Sequence, residues 1–390
     1  MADFFDLTSW GLIGSVVGVT VVLFALAVVV VPRMRRARLR THLAQAVSLI
    51  AVSTLVLVST GLVLNKQNNW FSSWADVFAD PAAAGDVSSQ VYGQRPAAGV
   101  SPADVSQQAS DLQKDPASNR DFGSQLDRDA QGGQYVSFTL PGAQSGQSYG
   151  TTLWLPPSYL QQSDRFYPVI LAFTGYPGSP KTYSESVDYG QKIEDAVAAG
   201  KMSEAIVVIP DVFPGTYDSE CVDGTQSQDG QTTPRVETYV TRDLVPWVEN
   251  NLRAINAPGA WATEGYSAGG WCAAMFTMRH PDLFSSAMIQ SGYFSPIYSD
   301  GQQWNPADDT RYDLARIAAD EAPAVGLHYF SSEEDSLSWP SLQAFSGSVK
   351  PPTSLTADHI PTGGHTLDVW IPGMERGLEW LGSSSTYFAP

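Results

Sequence analysis

The chain has 390 residues, of which 43% are hydrophobic, and a formal net charge of −18 at pH 7. This length allows one large folded domain with additional segments, and the negative charge argues against nucleic acid and other anionic polymers as partners. The charge is uneven, because residues 1–66 hold six Lys/Arg against two Asp/Glu, whereas the remaining residues hold 16 against 38. The first 66 residues therefore need a separate explanation.

Two uncharged apolar runs near the N-terminus predict a transmembrane hairpin with spans at about residues 8–31 and 43–64, since roughly 20 apolar residues cross a bilayer. The intervening loop, 32–42, holds Arg33, Arg35, Arg36, Arg38 and Arg40. The positive-inside rule places such a loop in the cytoplasm, so that both termini face outward. A cleaved signal peptide is the alternative, but the basic residues follow the first run and no Ala-x-Ala site comes after it.

Residues 67–133 are predicted to connect the hairpin to a folded domain. Trp70, Phe71 and Trp74 follow the second span, where amphipathic aromatic residues sit at the level of the lipid headgroups. The rest of the segment is rich in Ala, Gly, Ser, Gln, Pro and Asp, and so little apolar surface predicts a flexible linker.

From residue 134 to 390, short apolar runs alternate with helical periodicity. This alternation predicts a mostly parallel sheet covered by helices on both faces. The predicted strands are Tyr135–Leu140, Thr151–Leu155, Val169–Phe173, Ala205–Ile209, Trp261–Thr263, Ala287–Ile289, Val325–Phe330 and Ser354–Ile360.

The stretch EGYSAGGWC, residues 264–272, fits the Gly-x-Ser-x-Gly pattern around Ser267. A strand-like run precedes it and a helical segment from Ala268 to His280 follows. Strand, tight turn and helix form the setting in which this pattern exposes a nucleophilic serine. Ser267 is therefore the candidate nucleophile.

A nucleophilic serine needs a base, and His365 is the candidate. It lies in the loop TGGHTLDVW, after the last strand and before the last helix, where an α/β hydrolase places its histidine. A residue that only caps the last helix is the alternative. The other four histidines lie between the two spans, at a helix end or inside strand-like runs: His42, His280, His328 and His359.

The third member should be a carboxylate between the serine and the histidine, in a loop that follows a strand. Glu333, Glu334 and Asp335 follow the strand that ends near Phe330. We predict Asp335 as the acid, with Glu334 as the alternative. A solvated acidic turn without a catalytic role is the more common explanation of such a cluster.

An oxyanion hole requires two backbone N–H donors. One is predicted at Ala268, directly after the nucleophile. The other is predicted at Tyr176, in the Gly/Pro-rich loop TGYPGSPKTY after the strand Val169–Phe173.

From about residue 134 to 382, the chain resembles the "Putative esterase" family of α/β hydrolases, which includes esterase D-type enzymes, feruloyl esterases and mycolyltransferases. The resemblance rests on YPVILAFTGYPG, ETYVTRDLVPWVENNL, GYSAGGWCAAMFTMRHPDLFSSAMIQSGYF and GGHTLDVW, in this order. It implies an α/β-hydrolase fold and acyl-ester chemistry through a serine, acid and histidine triad, with no metal or cofactor. Gly269 stands where the mycolyltransferases have a serine, which favours hydrolysis over acyl transfer.

The chain has two cysteines, Cys221 and Cys272. Cys221 follows the strand Ala205–Ile209, and Cys272 lies in the first turns of the helix after the nucleophile. The strand Ala205–Ile209 and the strand Trp261–Thr263, which precedes the nucleophile, are expected to be neighbours. Outside the cell, where disulfides persist, the pair is predicted to form a bridge. A buried thiol and an unrelated exposed one are the alternative.

Together these features predict a membrane-anchored, extracytoplasmic serine esterase that acts on lipid or cell-envelope esters, including aminoacyl lipids. Trp271 and Tyr293 are candidate pocket residues. The partners expected are the bilayer and the ester substrate, and no protein partner is evident. An acyltransferase and a catalytically inert hydrolase-fold envelope protein are the alternatives.

Overall fold

The computed structural model describes residues 7, 9–30, 33, 38–68, 86–93, 116–228, 230–299 and 301–390. These fall into two compact units, Met1–Ala79 and Asp80–Pro390. The predicted aromatic residues after the second span lie outside the described residues.

The first unit is a pair of helices. Helix α1 spans Trp10–Ala25 and continues as a π-helical turn over Leu26–Val30, and helix α2 spans Arg38–Asn68. Ile13 packs with Leu62, and the ammonium of Lys66 lies 5.2 Å from the centre of the Trp10 ring, so the start of α1 meets the end of α2. Both helices are long and apolar enough to cross a membrane. Because α2 begins at Arg38, the second half of the predicted loop 32–42 is helical.

The second unit is built on one sheet, which holds nine strands within the described ranges in the order β1-β9-β8-β7-β6-β4-β5-β3-β2. The six strands from β9 to β5 in this order are parallel, and the strands at both edges are antiparallel. The strands are β1 Ser88–Gly93, β2 Gln134–Pro141, β3 Ser148–Leu155, β4 Val169–Phe173, β5 Ile206–Pro210, β6 Trp261–Tyr266, β7 Ser286–Gln290, β8 Gly326–Ser332 and β9 Ser354–Ile360.

Helices cover both faces of this sheet, as the alternating pattern predicted. The bounds are α3 Tyr189–Ala198, α4 in three consecutive parts (Val236–Thr238, a π-helical Tyr239–Leu244 and Val245–Asn251), α5 Ala268–Arg279, α6 Leu314–Asp320, α7 Ser338–Ser346 and α8 Leu367–Ser384. Within β4, Leu171 faces one hydrophobic cluster together with α4 to α7, whereas Ile170 faces a second cluster with α3 and α8. This alternation is the pleat of a strand buried on both sides, and the α/β-hydrolase prediction is confirmed.

Strand β1 lies inside the segment predicted as a flexible linker. It pairs antiparallel with β9, with Ser89 opposite Asp358, and Phe122 farther along that segment is fully buried beside Phe138. The composition concealed β1 because an edge strand leaves its side chains in solvent, and the Val91 side chain is 67% exposed. Part of the segment 67–133 therefore belongs to the folded unit.

Candidate active site

Ser267 occupies a sharp turn between β6 and α5. Its φ of +56° is unusual for a residue with a side chain, and its N–H donates to the Gln290 carbonyl on β7 over 2.8 Å. The flanking glycines make the turn possible. A Cβ added to Gly265 would lie 2.1 Å from the Gly269 oxygen, and one added to Gly269 would lie 2.0 Å from the Phe173 oxygen. The two glycines of the pattern are thus required by close backbone contacts.

His365 connects the predicted nucleophile to the predicted acid. Its Nε2 lies 2.8 Å from Ser267 Oγ, and its Nδ1 lies 2.7 Å from Asp335 Oδ2. All three residues are buried, with exposed fractions of 4%, 6% and 1% for His365, Ser267 and Asp335. When Nδ1 donates its proton to the carboxylate, Nε2 carries the lone pair that can accept the serine proton. The loops after β6, β8 and β9 thus bring the three predicted residues together at the carboxyl edge of the sheet.

The surroundings of Asp335 favour a carboxylate. Its Oδ1 accepts the N–H groups of Leu337 and Ser338, both over 3.0 Å, and its Oδ2 accepts the Ser338 hydroxyl over 2.6 Å as well as the histidine. Burial alone would raise the pKa of Asp335, but the charge of His365 and these hydrogen bonds hold that pKa below its ordinary value. Asp335 is therefore held in the charged form that stabilises an imidazolium.

The other two carboxylates of the acidic loop have different contacts. Glu334, the alternative acid, accepts the N–H of Gly363 over 3.2 Å in the loop before the histidine. Glu333 pairs with His359, with 2.9 Å between Oε1 and Nδ1. The structure therefore places Asp335 against His365 and gives Glu334 a contact with the backbone of the histidine loop.

The predicted oxyanion donors belong to two segments next to the serine. Ala268 is the first residue of α5, and the first N–H groups of a helix have no acceptor within that helix. The loop after β4 passes directly over the nucleophile, because a Cβ on Gly175 would lie 3.0 Å from Ser267 Cβ. Tyr176 follows, and its hydroxyl donates to the Thr216 carbonyl over 3.0 Å. The donor roles of Ala268 and Tyr176 stay predictions.

Trp271 and Tyr293 are core residues, which corrects their prediction as pocket residues. They are 0% and 3% exposed and lie parallel, with ring centres 6.3 Å apart. The Trp271 indole donates to the Glu220 carbonyl and the Tyr293 hydroxyl donates to the Glu220 carboxyl. Both polar groups are therefore already used inside the protein.

Cys221 and Cys272 form a disulfide, with 5.7 Å between their Cα atoms, and both are fully buried. The expectation that strands β5 and β6 are neighbours is wrong, because β4 lies between them. The bridge forms because the long loop after β5 returns to the start of α5. It ties this loop to the helix that begins at the nucleophile.

Trp370 is a contributor to the site that the sequence did not single out. Its ring stacks on Tyr266 at 4.7 Å and meets the His365 ring edge-on at 4.9 Å. It thus packs between the elbow and the histidine. Across the described ranges, no group of three or more His, Cys, Asp or Glu side chains is arranged to hold a metal ion.

A serine at a strand-turn-helix elbow, hydrogen bonded to a histidine and through it to a carboxylate, defines the class of α/β-fold serine hydrolases. The sequence profile of the family described as "Putative esterase" matches residues 142–380. The chain belongs to this family.

Individual relatives are more distant. An uncharacterized protein of Corynebacterium glutamicum is 24% identical over 245 residues, which are 58% of this chain and 55% of that protein. An esterase of Mycobacterium tuberculosis is 31% identical over 148 residues, which are 38% of this chain and 30% of the esterase. The chain thus spans about half or less of the length of these curated relatives.

Solved structures agree on the fold. An S-formylglutathione hydrolase from Agrobacterium tumefaciens superimposes with a TM-score of 0.55 at 20% identity, covering 66% of this chain and 97% of that one. At this identity the likeness shows the α/β-hydrolase fold alone.

Proposed function

We propose that the protein is a membrane-anchored serine esterase whose catalytic domain faces the outside of the cytoplasmic membrane and cleaves esters of lipids or of the cell envelope. The observation that carries the catalytic part is the unbroken hydrogen-bonded series from Ser267 Oγ through His365 to Asp335. Each contact is 2.8 Å or shorter, and all three groups are buried.

The reaction follows from this series. His365 Nε2 takes the proton of Ser267 as the oxygen attacks the ester carbonyl, and Asp335 stabilises the imidazolium that forms. The N–H groups of Ala268 and Tyr176 would stabilise the oxyanion. His365 then gives its proton to the leaving alcohol, and water, activated by the same histidine, releases the acid from Ser267.

The first unit supports membrane anchoring. Large apolar side chains on both helices face outward, including Val21 at 60% and Leu57 at 74% exposure, and such a surface is unfavourable in water. By the positive-inside rule, the five arginines between the two apolar runs favour a hairpin whose ends both face outward. The disulfide supports the same placement, because disulfides persist in oxidising compartments.

The substrate class follows from placement and charge. An enzyme fixed to a membrane meets esters carried by lipids or by the envelope. Residues 134–390 hold 12 Lys/Arg against 29 Asp/Glu, so this domain should accept a cationic acyl group more readily than an anionic one. Aminoacyl esters of lipids are therefore the specific substrates proposed. Equal cleavage of cationic and neutral acyl esters at low salt would contradict this part of the proposal.

The catalytic assignment is tested by Ser267→Ala. Turnover of a p-nitrophenyl ester should fall by roughly three or more powers of ten, and covalent labelling by a fluorophosphonate should disappear. Ser383→Ala is the matched control, because Ser383 lies exposed on α8 and its hydroxyl donates to the Trp380 carbonyl. Near-normal turnover in Ser267→Ala would refute the assignment. Acyl groups recovered on an added alcohol and not on water would indicate an acyltransferase.

A further inference from the structure

Glu264 is a buried acid next to the nucleophile elbow that the proposed reaction does not use. It is the fourth residue of β6, directly before Gly265, and it is 0% exposed. Its neighbours in the sheet are Ala172 on β4 and Met288 on β7. No cationic side chain in the described part of the chain forms an ion pair with it. A charge at this position would be uncompensated.

The groups that face Glu264 are neutral. Tyr183, from the π-helical turn before α3, contacts Glu264 Oε2 directly. Tyr189 on α3 and Tyr266 on β6 are titratable groups near Tyr183 and Glu264. Tyr135 on β2 is a third, and its hydroxyl donates to the Tyr183 carbonyl over 3.4 Å. Gln290 contributes an amide from β7, and α8 approaches that amide with Gly373, which has no side chain.

The hydrogen bonds of Tyr183 indicate the protonation state of Glu264. The Tyr183 hydroxyl contacts two oxygens, the Phe173 carbonyl at 3.1 Å and Glu264 Oε2. A carbonyl can only accept, and the tyrosine has a single proton. Both contacts are hydrogen bonds only when Glu264 supplies the second proton, which requires its neutral form.

The Phe173 carbonyl leads to the oxyanion loop. Phe173 ends β4, two residues before Gly175, and its oxygen is so close to the start of α5 that no side chain fits at Gly269. Gly175 in turn lies against the Tyr266 ring, because a Cβ added to Gly175 would lie 2.9 Å from Tyr266 Cε2. The orientation of this carbonyl therefore sets how the loop enters the active site.

We propose that Glu264 is a positioning residue that acts in its neutral form. By donating its proton to Tyr183, it leaves the tyrosine proton for the Phe173 carbonyl and so holds the loop of Gly175 and Tyr176 beside Ser267. This inference rests on the proposed function, in which that loop supplies an oxyanion donor.

Ionisation of Glu264 would reverse this arrangement. Burial raises the pKa of Glu264 to about 8, against the opposing effects of Tyr183 and Gln290. Above that pH the tyrosine proton turns to the carboxylate, because hydrogen bonds to a charged acceptor are stronger. The Phe173 carbonyl loses this donor, and kcat should fall about 3- to 10-fold, the value of one hydrogen bond.

The pH profile of kcat tests the proposal. In the unaltered protein, kcat should decline with a midpoint near pH 8 after correction for uncatalysed hydrolysis. Glu264→Gln keeps an N–H donor toward Tyr183 and cannot ionise, so its profile should stay flat above that pH. Glu249→Gln is the matched control, because burial also raises the pKa of Glu249 and it lies on α4, away from the elbow. The control should keep the decline.

Two further measurements keep the test decisive. Tyr183→Phe removes the shared proton, so kcat should be about 3- to 10-fold lower at neutral pH, with no decline near pH 8. Infrared spectra should show the carbonyl band of a protonated carboxyl that vanishes as the pH rises and is absent from Glu264→Gln. An unchanged decline in folded Glu264→Gln, or no such band at neutral pH, would overturn the proposal. Failure of the proposed function would give a different result, namely esterase activity that does not depend on Ser267.

Discussion

Replacing each carboxylate of the acidic loop, Glu333, Glu334 and Asp335, by its amide identifies which of the three is the triad acid. The four donors around Asp335 predict a severe effect for Asp335→Asn. Its Oδ1 accepts two backbone N–H groups, and its Oδ2 accepts the Ser338 hydroxyl and the His365 ring. An amide NH₂ in place of either oxygen would point a hydrogen-bond donor at groups that themselves donate hydrogen bonds. Pointed at His365, it would also force the proton onto Nε2, where the base is needed.

The expected magnitude is a loss of about 10⁴ in kcat, as for an amide in the acid position of a serine triad, or about 5 kcal/mol of transition-state stabilisation. Glu334→Gln keeps a carbonyl oxygen for the Gly363 N–H and should change kcat less than about threefold. Glu333→Gln breaks a half-exposed pair with His359 and should have a similarly small effect.

The assay is kcat for a p-nitrophenyl ester, divided by the active sites titrated with a fluorophosphonate. Circular dichroism at the assay temperature should show that all three variants are folded. A loss of less than tenfold in Asp335→Asn, or a larger loss in Glu334→Gln, would refute the assignment of the acid. The latter result would identify Glu334 as the triad member.

Two predictions concern stability. The double variant Cys221→Ala and Cys272→Ala opens a loop of about 50 residues, and urea unfolding of the catalytic unit should show a loss of about 4 kcal/mol; an unchanged midpoint would mean that the bridge does not constrain the chain. Burial would raise the pKa of Glu237, but its contacts with His280, Arg279 and Tyr312 lower it from 4.5 to about 2. The unfolded chain therefore takes up the proton first, and the unfolding free energy should fall by about 3 kcal/mol between pH 4.5 and 2. Glu237→Gln should lack this part of the acid dependence, and an unaltered acid titration in that variant would contradict it.

The sequence was informative where chemistry depends on local pattern and chain order. The elbow around Ser267 follows from its glycines, and the fold follows from strands alternating with helices. The choice among three adjacent carboxylates depends on how the loop turns, which places the Asp335 side chain, but not that of Glu334, against His365. Trp271 was misjudged because a bulky aromatic residue near a nucleophile has the same pattern whether it faces a pocket or the core.

Other features depend on contacts between distant segments. Glu264 looks like a surface residue in the sequence, since acidic residues are rarely buried, and only the packing of Tyr183 against it reveals a neutral acid. Strand β1 is mostly exposed, with Tyr92 packed against the core, and it is recognisable by its pairing with β9.

The pairing of β1 with β9 determines where proteolysis can separate the second unit, Asp80–Pro390, from the first unit. A protease that cleaves before Ser88 releases a domain with its sheet complete. A cut between Gly93 and the buried Phe122 leaves β1 with the first unit and exposes the edge of β9. The free N–H and carbonyl groups of β9 can then pair with a strand from another molecule. A soluble fragment that starts before residue 88 should therefore stay monodisperse, whereas one that starts at residue 134 should aggregate.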